Sequence, residues 1–311
     1  MYSGASNFVT TTDNAFFLII GISVIFLVGI TATILWFMFR YSKKRNPVAT
    51  QIHGSNTLEI VWTIIPTILV IGMFYYGWTG YQPMIKAPKD AMKVRATARM
   101  WSWMFEYENG IKTDTLYVPL DKAVALDLIS VDVVHSLYVP AFRIKEDVVP
   151  NRNNTMWFIG QKVGNYELFC TEYCGLSHSY MYTEVKVLPQ AKFDAWYAQM
   201  ADNSANDTVP AQPGVKGRKL IQVNGCVACH SLDGSKLVGP SFKGVFGHTV
   251  TVTTDGKERE VVADAEYIKR SIWEPEADVV QGYFKGQMVS YKDLLSEEEI
   301  AQITEFLETI K

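Results

Sequence analysis

The sequence predicts a multidomain protein with a hairpin of two transmembrane helices, an all-β sandwich and a small all-α domain. Two apolar runs near the N-terminus are long enough to cross a bilayer. The middle of the chain alternates apolar and polar residues, and its end has helical periodicity. The predicted boundaries are 1–82 for the hairpin, 83–200 for the sandwich, 201–213 for a linker and 214–311 for the helical domain. A length of 311 residues favours more than one folding unit.

The composition combines membrane-like and soluble features. Hydrophobic residues make up 48% of the chain and charged residues only 20%, which is an unusual balance for a purely soluble protein. The formal net charge is -3 and no basic stripe occurs, so we expect no nucleic-acid partner. The four cysteines form two close pairs, which favours cofactor sites over a disulfide framework.

The hairpin is predicted from residues 15–39 and 60–78, neither of which contains a charged residue. Pro66 interrupts the second run, but membrane helices tolerate proline when neighbours satisfy the freed backbone groups. Four basic residues crowd the connecting loop: Arg40, Lys43, Lys44 and Arg45. The positive-inside rule therefore predicts a cytoplasmic loop, with both termini and everything after Tyr81 on the outer side. A signal peptide is disfavoured because no basic segment precedes the first run. An earlier leader that has already been removed is the remaining alternative.

The β-sandwich is predicted for residues 92–188, where Val185 and Val187 alternate with Glu184 and Lys186. A short amphipathic stretch closes it with four apolar residues at helical spacing: Phe193, Trp196, Tyr197 and Met200. The following segment, rich in Asn, Asp, Ala and Pro, is typical of a flexible linker.

The last domain ends in a predicted helix that begins with a capping box, Ser296 and Glu299. Its apolar residues share one helical face: Ile300, Ile303, Phe306, Leu307 and Ile310.

One group of potential metal ligands lies within twelve residues and combines sulfur, imidazole and carboxylate. Its members are Cys170, Glu172, Cys174, His178 and Met181, with His135 standing 35 residues before the first cysteine. Thiolate and thioether donors suit Cu(I) and imidazole also suits Cu(II), so the set favours a redox copper site. A disulfide between the two cysteines is the simple alternative. Zinc fits the methionine and the cysteine spacing poorly, and a copper chaperone or thiol-redox module would not need the Glu and Met.

A second group is the sequence Cys226-Val-Ala-Cys229-His230, which is the attachment pattern of a c-type haem. The two thiols would form thioether bonds and His230 would bind the iron. Met288 is the only methionine after Met200, and a His/Met pair gives the raised potential of an electron carrier. His248 is the alternative second ligand, and we favour Met288.

The first group resembles the binuclear copper (CuA) site of cytochrome c oxidase subunit II, and the resemblance extends over about residues 15–200. It implies a cupredoxin-like sandwich in which Cys170 and Cys174 bridge two coppers. By the same resemblance His135 and His178 each cap one copper, while Met181 and the backbone carbonyl of Glu172 are weak ligands. The Glu172 side chain corresponds to a ligand of a non-redox magnesium or manganese ion at the interface with the catalytic subunit. Quinol oxidases of this fold lack the copper ligands, so quinol is disfavoured as the direct donor.

Two further residues take roles from the resemblance. Trp101, in an aromatic stretch that extends to Tyr107, corresponds to the residue through which electrons enter toward copper; simple core packing is the alternative. Glu59 corresponds to a carboxylate at the mouth of a proton channel. Its alternative role is a helix cap, with Asn56 at the N-cap and Glu59 at N3.

The fused haem domain resembles that of caa(3)-type haem–copper oxidases, although Val289 stands where many relatives of the haem domain have proline. The resemblance implies an electron-transfer component of a terminal oxidase in the bacterial cytoplasmic membrane. Electrons would pass from cytochrome c or a quinol-oxidising complex, through haem c and CuA, to a catalytic subunit I that reduces oxygen to water and pumps protons. Two helices without histidine cannot hold the oxygen-reducing site. The alternatives are the equivalent subunit of a nitric oxide reductase and a membrane-tethered shuttle without catalytic partner.

Overall fold

The structure is a computed structural model that describes residues 4–48, 50–51, 53–205 and 214–311. It divides into two compact units. One is Phe8–Lys86, and the other combines Ala87–Lys311 with the N-terminal residues through Asn7.

The smaller unit consists of two long helices, α1 (Val9–Arg40) and α2 (Asn56–Ile85). Both are long and apolar enough to cross a membrane. Neither contains a buried residue, so their apolar side chains face outward, as lipid contact requires. The N-cap of α2 is Ser55, which accepts a hydrogen bond from the Leu58 amide. The prediction of Asn56 as N-cap with Glu59 at N3 is therefore wrong by one residue.

Ten strands form the predicted β-sandwich in the larger unit. They are β1 (Met92–Arg99), β2 (Ser102–Tyr107), β3 (Lys112–Thr113), β4 (Leu116–Pro119), β5 (Ala123–Ser130), β6 (His135–Val139), β7 (Ile144–Val148), β8 (Asn154–Ile159), β9 (Gly164–Cys170) and β10 (Tyr182–Leu188). One sheet has the order β3-β2-β1-β5-β8 and the other β4-β10-β9-β6-β7. Val185 and Val187 of β10 point inward and are fully buried, as their alternation with Glu184 and Lys186 predicted. Phe105, Leu126, Leu137 and Phe158 fill the same core.

Helix α3 (Gln190–Ala205) follows the sandwich directly. Trp196 stacks on Tyr117 at a ring distance of 4.3 Å, and Phe193 is buried, so the predicted amphipathic stretch packs against the β-sandwich. The helix continues into the segment 201–213 that was predicted as a linker. Residues 206–213 of that segment lie outside the described residues.

The C-terminal domain contains helices α4 (Val215–Val223), α5 (Ala265–Trp273) and α6 (Glu297–Thr309). Both halves of the predicted Ser296–Glu299 capping box form at the start of α6. Helices α4 and α6 approach closely, since a Cβ on Gly217 would collide with the Gln302 carbonyl oxygen.

The helical character of this domain is confirmed, with one addition that the sequence analysis did not include. A small sheet of order β12-β11-β13 is formed by β11 (Thr249–Thr254), β12 (Lys257–Val262) and β13 (Val279–Val280). The β11–β12 turn is Asp255-Gly256, and both residues have positive φ. An Asp-Gly turn is typical of a tight hairpin. This dipeptide was the feature of the sequence from which the β11–β12 hairpin could have been predicted.

Candidate metal and haem sites

The sheet topology brings the distant His135 to the two cysteines. Cys170 is the last residue of β9, and β9 pairs with β6, which His135 begins. The loop after Cys170 returns to the sheet at Met181, whose carbonyl accepts a hydrogen bond from the Cys170 amide at 3.0 Å. The ends of the ligand loop are thereby fixed to neighbouring strands.

All six predicted copper-site residues contribute an atom to one compact cluster. The Cys170 Sγ lies 3.7 Å from Cys174 Sγ and 3.8 Å from His135 Nδ1. The Cys174 Sγ lies 3.4 Å from His178 Nδ1 and 3.8 Å from Met181 Sδ. The atom that Glu172 contributes is its backbone carbonyl oxygen, 3.3 Å from the Cys170 Sγ. His135, both cysteines and Met181 are buried.

The cluster fits a copper pair by the chemistry of its donors. Two thiol sulfurs lie beside two imidazole nitrogens and a thioether sulfur, and this soft and borderline set suits copper. The two Sγ atoms are separated by much more than the roughly 2.05 Å of a disulfide, and the thiols are free. The arrangement can therefore hold metal ions between the sulfurs.

The two thiols differ in acidity because they share one small space. Burial raises the pKa of Cys174, and the neighbouring Cys170 raises it further. For Cys170 burial also raises the pKa, but hydrogen bonds from His135 and the nearby backbone outweigh it, so the pKa is lowered. One thiolate thus forms readily, and a bound cation would favour the second.

Sequence reasoning missed Asp132, which orients His135. Its carboxylate accepts hydrogen bonds from His135 Nε2 at 2.7 Å, the Met100 amide at 2.6 Å and the Val133 amide at 2.7 Å. Burial raises the pKa of Asp132, but these donors lower it by more. An Nε2–H bonded to a carboxylate leaves Nδ1 free to face Cys170, which is the usual arrangement for a metal-binding histidine. The available signal was an Asp three residues before the ligand.

Trp101 contacts the copper loop directly. Its indole Nε1–H donates a hydrogen bond to the Cys174 carbonyl at 3.0 Å, and its side chain is only 3% exposed. Gly175 fits beneath the ring, since its φ is +113° and a Cβ there would lie 3.1 Å from Trp101 Cζ2. Trp101 is therefore joined to the ligand loop by both a hydrogen bond and close packing.

The second predicted site is a mainly apolar cavity of about 400 Å³ in the C-terminal domain, a size typical of ligand sites. Its walls include every predicted haem residue and the alternative ligand: Cys226, Cys229, His230, Met288 and His248. Both candidates for the second iron ligand, Met288 and His248, thus line the cavity. The preference for Met288 stays a prediction.

The cavity holds the His230 imidazole in one orientation. Its Nδ1 donates to the Pro240 carbonyl at 2.7 Å, and its ring stacks on Phe242 at 4.5 Å. A Cβ on Gly239 would lie 2.6 Å from His230 Cε1, so only glycine leaves room for the ring. Burial lowers the pKa of His230 and favours the neutral imidazole that iron requires. These features fit a haem.

The β-sandwich and the C-terminal domain meet beside both sites. Met100 lines the haem cavity, and Gly225, which precedes the first haem cysteine, is so close to Ser102 that a Cβ would collide with the Ser102 Oγ. Trp101 lies between these two contact residues in sequence. A continuous set of contacts therefore leads from the haem-attachment segment to the copper loop.

The two remaining predicted residues have exposed side chains. Glu59 lies in the first turn of α2, and the Glu172 side chain is exposed on the copper loop. Beside Glu172, Tyr173 and Leu176 are also exposed.

Three family models match successive parts of the chain. They are "Cytochrome C oxidase subunit II, transmembrane domain" over residues 3–77, "Cytochrome C oxidase subunit II, periplasmic domain" over residues 110–188, and "Cytochrome c" over residues 214–311. A cytochrome c oxidase subunit 2 from Alkalihalophilus pseudofirmus is 30% identical over 313 residues, covering 94% of this chain and 86% of the relative. The chain belongs to the cytochrome c oxidase subunit 2 family.

A second relative of the family agrees. Cytochrome c oxidase subunit 2 of Bacillus sp. strain PS3 is 31% identical, covering 88% of this chain and 80% of the relative. Among solved structures, the periplasmic domain of cytochrome oxidase subunit II from Bradyrhizobium japonicum has 26% identity and a TM-score of 0.37, covering 38% of this chain and 99% of that one.

Family membership confirms the resemblance inferred from the sequence. The chain is a membrane-anchored subunit of an oxidoreductase, a haem–copper oxidase, and this membership implies a subunit I as its partner. The two matched extramembrane domains imply a CuA copper centre and a haem.

Proposed function

We propose that this subunit is the electron entry of a terminal cytochrome c oxidase. Electrons from an external donor would enter at the haem site, leave through the CuA site and reach subunit I, which would reduce oxygen to water and pump protons. When bound, the haem and the copper pair supply the one-electron chemistry. The chain's own residues hold, orient and connect the two groups.

One observation carries the proposal, namely the contacts that connect the two sites. Gly225 beside the haem cysteines packs on Ser102, and the neighbouring Trp101 donates to the Cys174 carbonyl. A short path through bonds and close contacts favours electron tunnelling, and the burial of Trp101 excludes water from this path. We assign Trp101 the role of the connecting aromatic residue.

Each group has its proposed holders. Cys170 and Cys174 would hold both coppers, His135 and His178 would each hold one, and Met181 with the Glu172 carbonyl would complete the set. Cys226 and Cys229 would hold the haem covalently, and His230 with Met288 would bind its iron. Support comes from the convergence of the six copper ligands and from the shared haem cavity.

The Glu172 side chain is proposed to bind a magnesium or manganese ion at the contact with subunit I. Its backbone carbonyl faces Cys170, while its carboxylate is exposed. One residue could thereby join the copper loop to an interface ion. Carboxylate oxygen suits both metals.

Glu59 is proposed to stand at the mouth of the proton channel that subunit I otherwise builds. It lies in the first turn of α2 and is exposed. The basic residues of the preceding loop support a cytoplasmic position for this end, with the cofactor domains and both termini on the outer side of a bacterial cytoplasmic membrane. Membrane lipid would cover the apolar surfaces of α1 and α2.

The test is oxygen uptake by the detergent-solubilised complex, purified through a tag after Lys311 and supplied with reduced cytochrome c or an artificial donor. We expect cyanide-sensitive uptake and a copurified haem-rich membrane subunit. Consumption of nitric oxide without oxygen uptake would instead assign the subunit to a nitric oxide reductase. Absence of both activity and partner would indicate a tethered shuttle.

A further inference from the structure

A buried arginine with no assigned role lies where the β-sandwich meets the C-terminal domain. Arg99, the last residue of β1, is 1% exposed. Arginine is almost never fully buried unless it is paired. Within the described part of the chain, neither terminal nitrogen of its guanidinium has a hydrogen-bond partner.

The Arg99 charge lies close to the haem-attachment residues. Its Cζ is 4.8 Å from the centre of the Tyr291 ring, and Tyr291 lines the haem cavity. The Tyr291 hydroxyl donates to the carbonyl of Asn224 at 3.0 Å, two residues before Cys226.

Burying the Arg99 guanidinium without a counter-ion among the described residues is unfavourable in free energy, which indicates a functional role for its charge. A buried cation without a counter-ion loses its hydration, and a single aromatic face returns only part of that loss. Low dielectric also makes the charge act strongly on its neighbours. Tyr291 lines the cavity that would hold the haem, and the haem iron changes its charge during the proposed function.

A fixed positive charge favours the reduced haem over the oxidised haem, because the oxidised form carries one more positive charge. We propose that Arg99 is the positioning residue through which the β-sandwich raises the reduction potential of the haem held by Cys226, Cys229 and His230, with Tyr291 fixing the guanidinium. This inference rests on the haem assignment of the proposed function. The protein thereby sets how an electron divides between haem and copper.

A second consequence follows from reciprocity. If packing against the β-sandwich favours the reduced haem, then reduction of the haem favours packing by the same factor. The packing between the β-sandwich and the C-terminal domain is therefore strongest when the haem is reduced.

The experiment is a spectroelectrochemical titration of the haem in the purified complex. We expect Arg99→Gln to lower the haem potential by an amount equal to about a tenfold change in the reduction equilibrium, which is 59 mV for one electron. Arg99→Lys keeps the charge and should retain most of the potential. The matched control is Arg95→Gln on the same strand. Arg95 is exposed and pairs with Glu106, so solvent screens its charge and the potential should not move.

Haem and copper contents are measured on every variant from their absorption bands. If Arg99→Gln fails to load, Arg99→Met replaces the buried cation by an apolar chain of similar length and is titrated instead. An unchanged potential in a fully loaded neutral variant would overturn the inference, and so would an equal drop in Arg99→Lys. Absence of covalent haem from the wild-type chain would instead reject the haem assignment itself.

Discussion

The indole Nε1–H of Trp101 and the backbone carbonyl of Cys174 form a hydrogen bond of 3.0 Å that joins the first sheet of the sandwich to the copper loop. The same tryptophan is followed by Ser102, which contacts Gly225 of the haem-attachment segment. Two consecutive residues thus contact the two cofactor-binding segments, Trp101 the copper loop and Ser102 the haem-attachment segment.

Trp101→Phe should slow electron transfer from haem to copper several-fold, because phenylalanine cannot donate the hydrogen bond that the Trp101 indole makes to the Cys174 carbonyl. The lost hydrogen bond also costs about 1 kcal/mol of stability. The rate is measured by stopped-flow reduction of the haem followed at the copper absorption band. Trp196→Phe is the control, since the Trp196 indole stacks on Tyr117 and its Nε1 has no partner in the described structure. Equal slowing in both variants would contradict the role of Trp101.

Cys170→Ser should abolish transfer from copper to subunit I while the haem remains reducible by an external donor. The substitution removes a bridging sulfur from the cluster, and a hydroxyl is a poor ligand for copper. Metal analysis and oxygen uptake on the same preparation provide the measurement. Normal turnover in this variant would refute the copper assignment.

Asp132→Ala should weaken copper binding by about 10- to 100-fold, which is typical for the loss of a carboxylate that orients a metal-binding histidine. The His135 ring would lose its Nε2 partner at 2.7 Å. Copper affinity is measured by competition with a chelator, and the copper absorption spectrum reports ligand geometry. Asp127→Ala on the exposed side of β5 is the control. Unaltered affinity and spectrum would show that His135 is held by packing alone.

Met288→Ala should lower the haem potential, because a thioether ligand favours reduced iron. His248→Ala should leave the haem potential unchanged. Redox titration of both variants is the measurement. The opposite pattern would assign His248 as the axial ligand, since both residues line the cavity.

Asp278→Asn should destabilise the C-terminal domain by roughly 1–3 kcal/mol at neutral pH. The carboxylate is buried and accepts two hydrogen bonds from Arg259, at 2.9 and 3.0 Å, and forms an ion pair with Arg270 at 3.1 Å. Both arginines are about two-fifths exposed, so solvent screening keeps the loss below that of a fully buried pair.

The pH dependence of this effect has a definite sign. Burial raises the pKa of Asp278, but Thr254 and the two arginines lower it by more. A depressed pKa gives stability that is present above the unfolded value near 3.9 and is lost as pH falls through the folded value. The difference between wild type and Asp278→Asn should therefore shrink below about pH 4. Denaturant unfolding followed by haem absorbance measures it, with the exposed Asp293→Asn as control; a constant difference down to acid pH would contradict the ion-pair account.

Local patterns in the sequence were sufficient for much of the fold. The helix at Ser296 formed with its capping box because the residues that stabilise that end are neighbours in the chain. The strand at Val185 showed its buried face by alternation. The Asp255-Gly256 hairpin was equally local and was overlooked. The helix α2 began one residue from its expected cap, because Ser55 competes with Asn56 for that position.

The chain by itself determined which donors exist and how they are spaced: two cysteine pairs, a late methionine, and two apolar helices with a basic loop between them. These features depend on side-chain chemistry and short-range periodicity, which are written in the order of residues. Only the tertiary structure decided that His135 lies beside Cys170, that Asp132 orients it, and that Arg99 is buried against Tyr291. Each of those contacts joins segments far apart in the chain, and strand pairing and domain packing bring them together through the burial of apolar surface, which has no local signature.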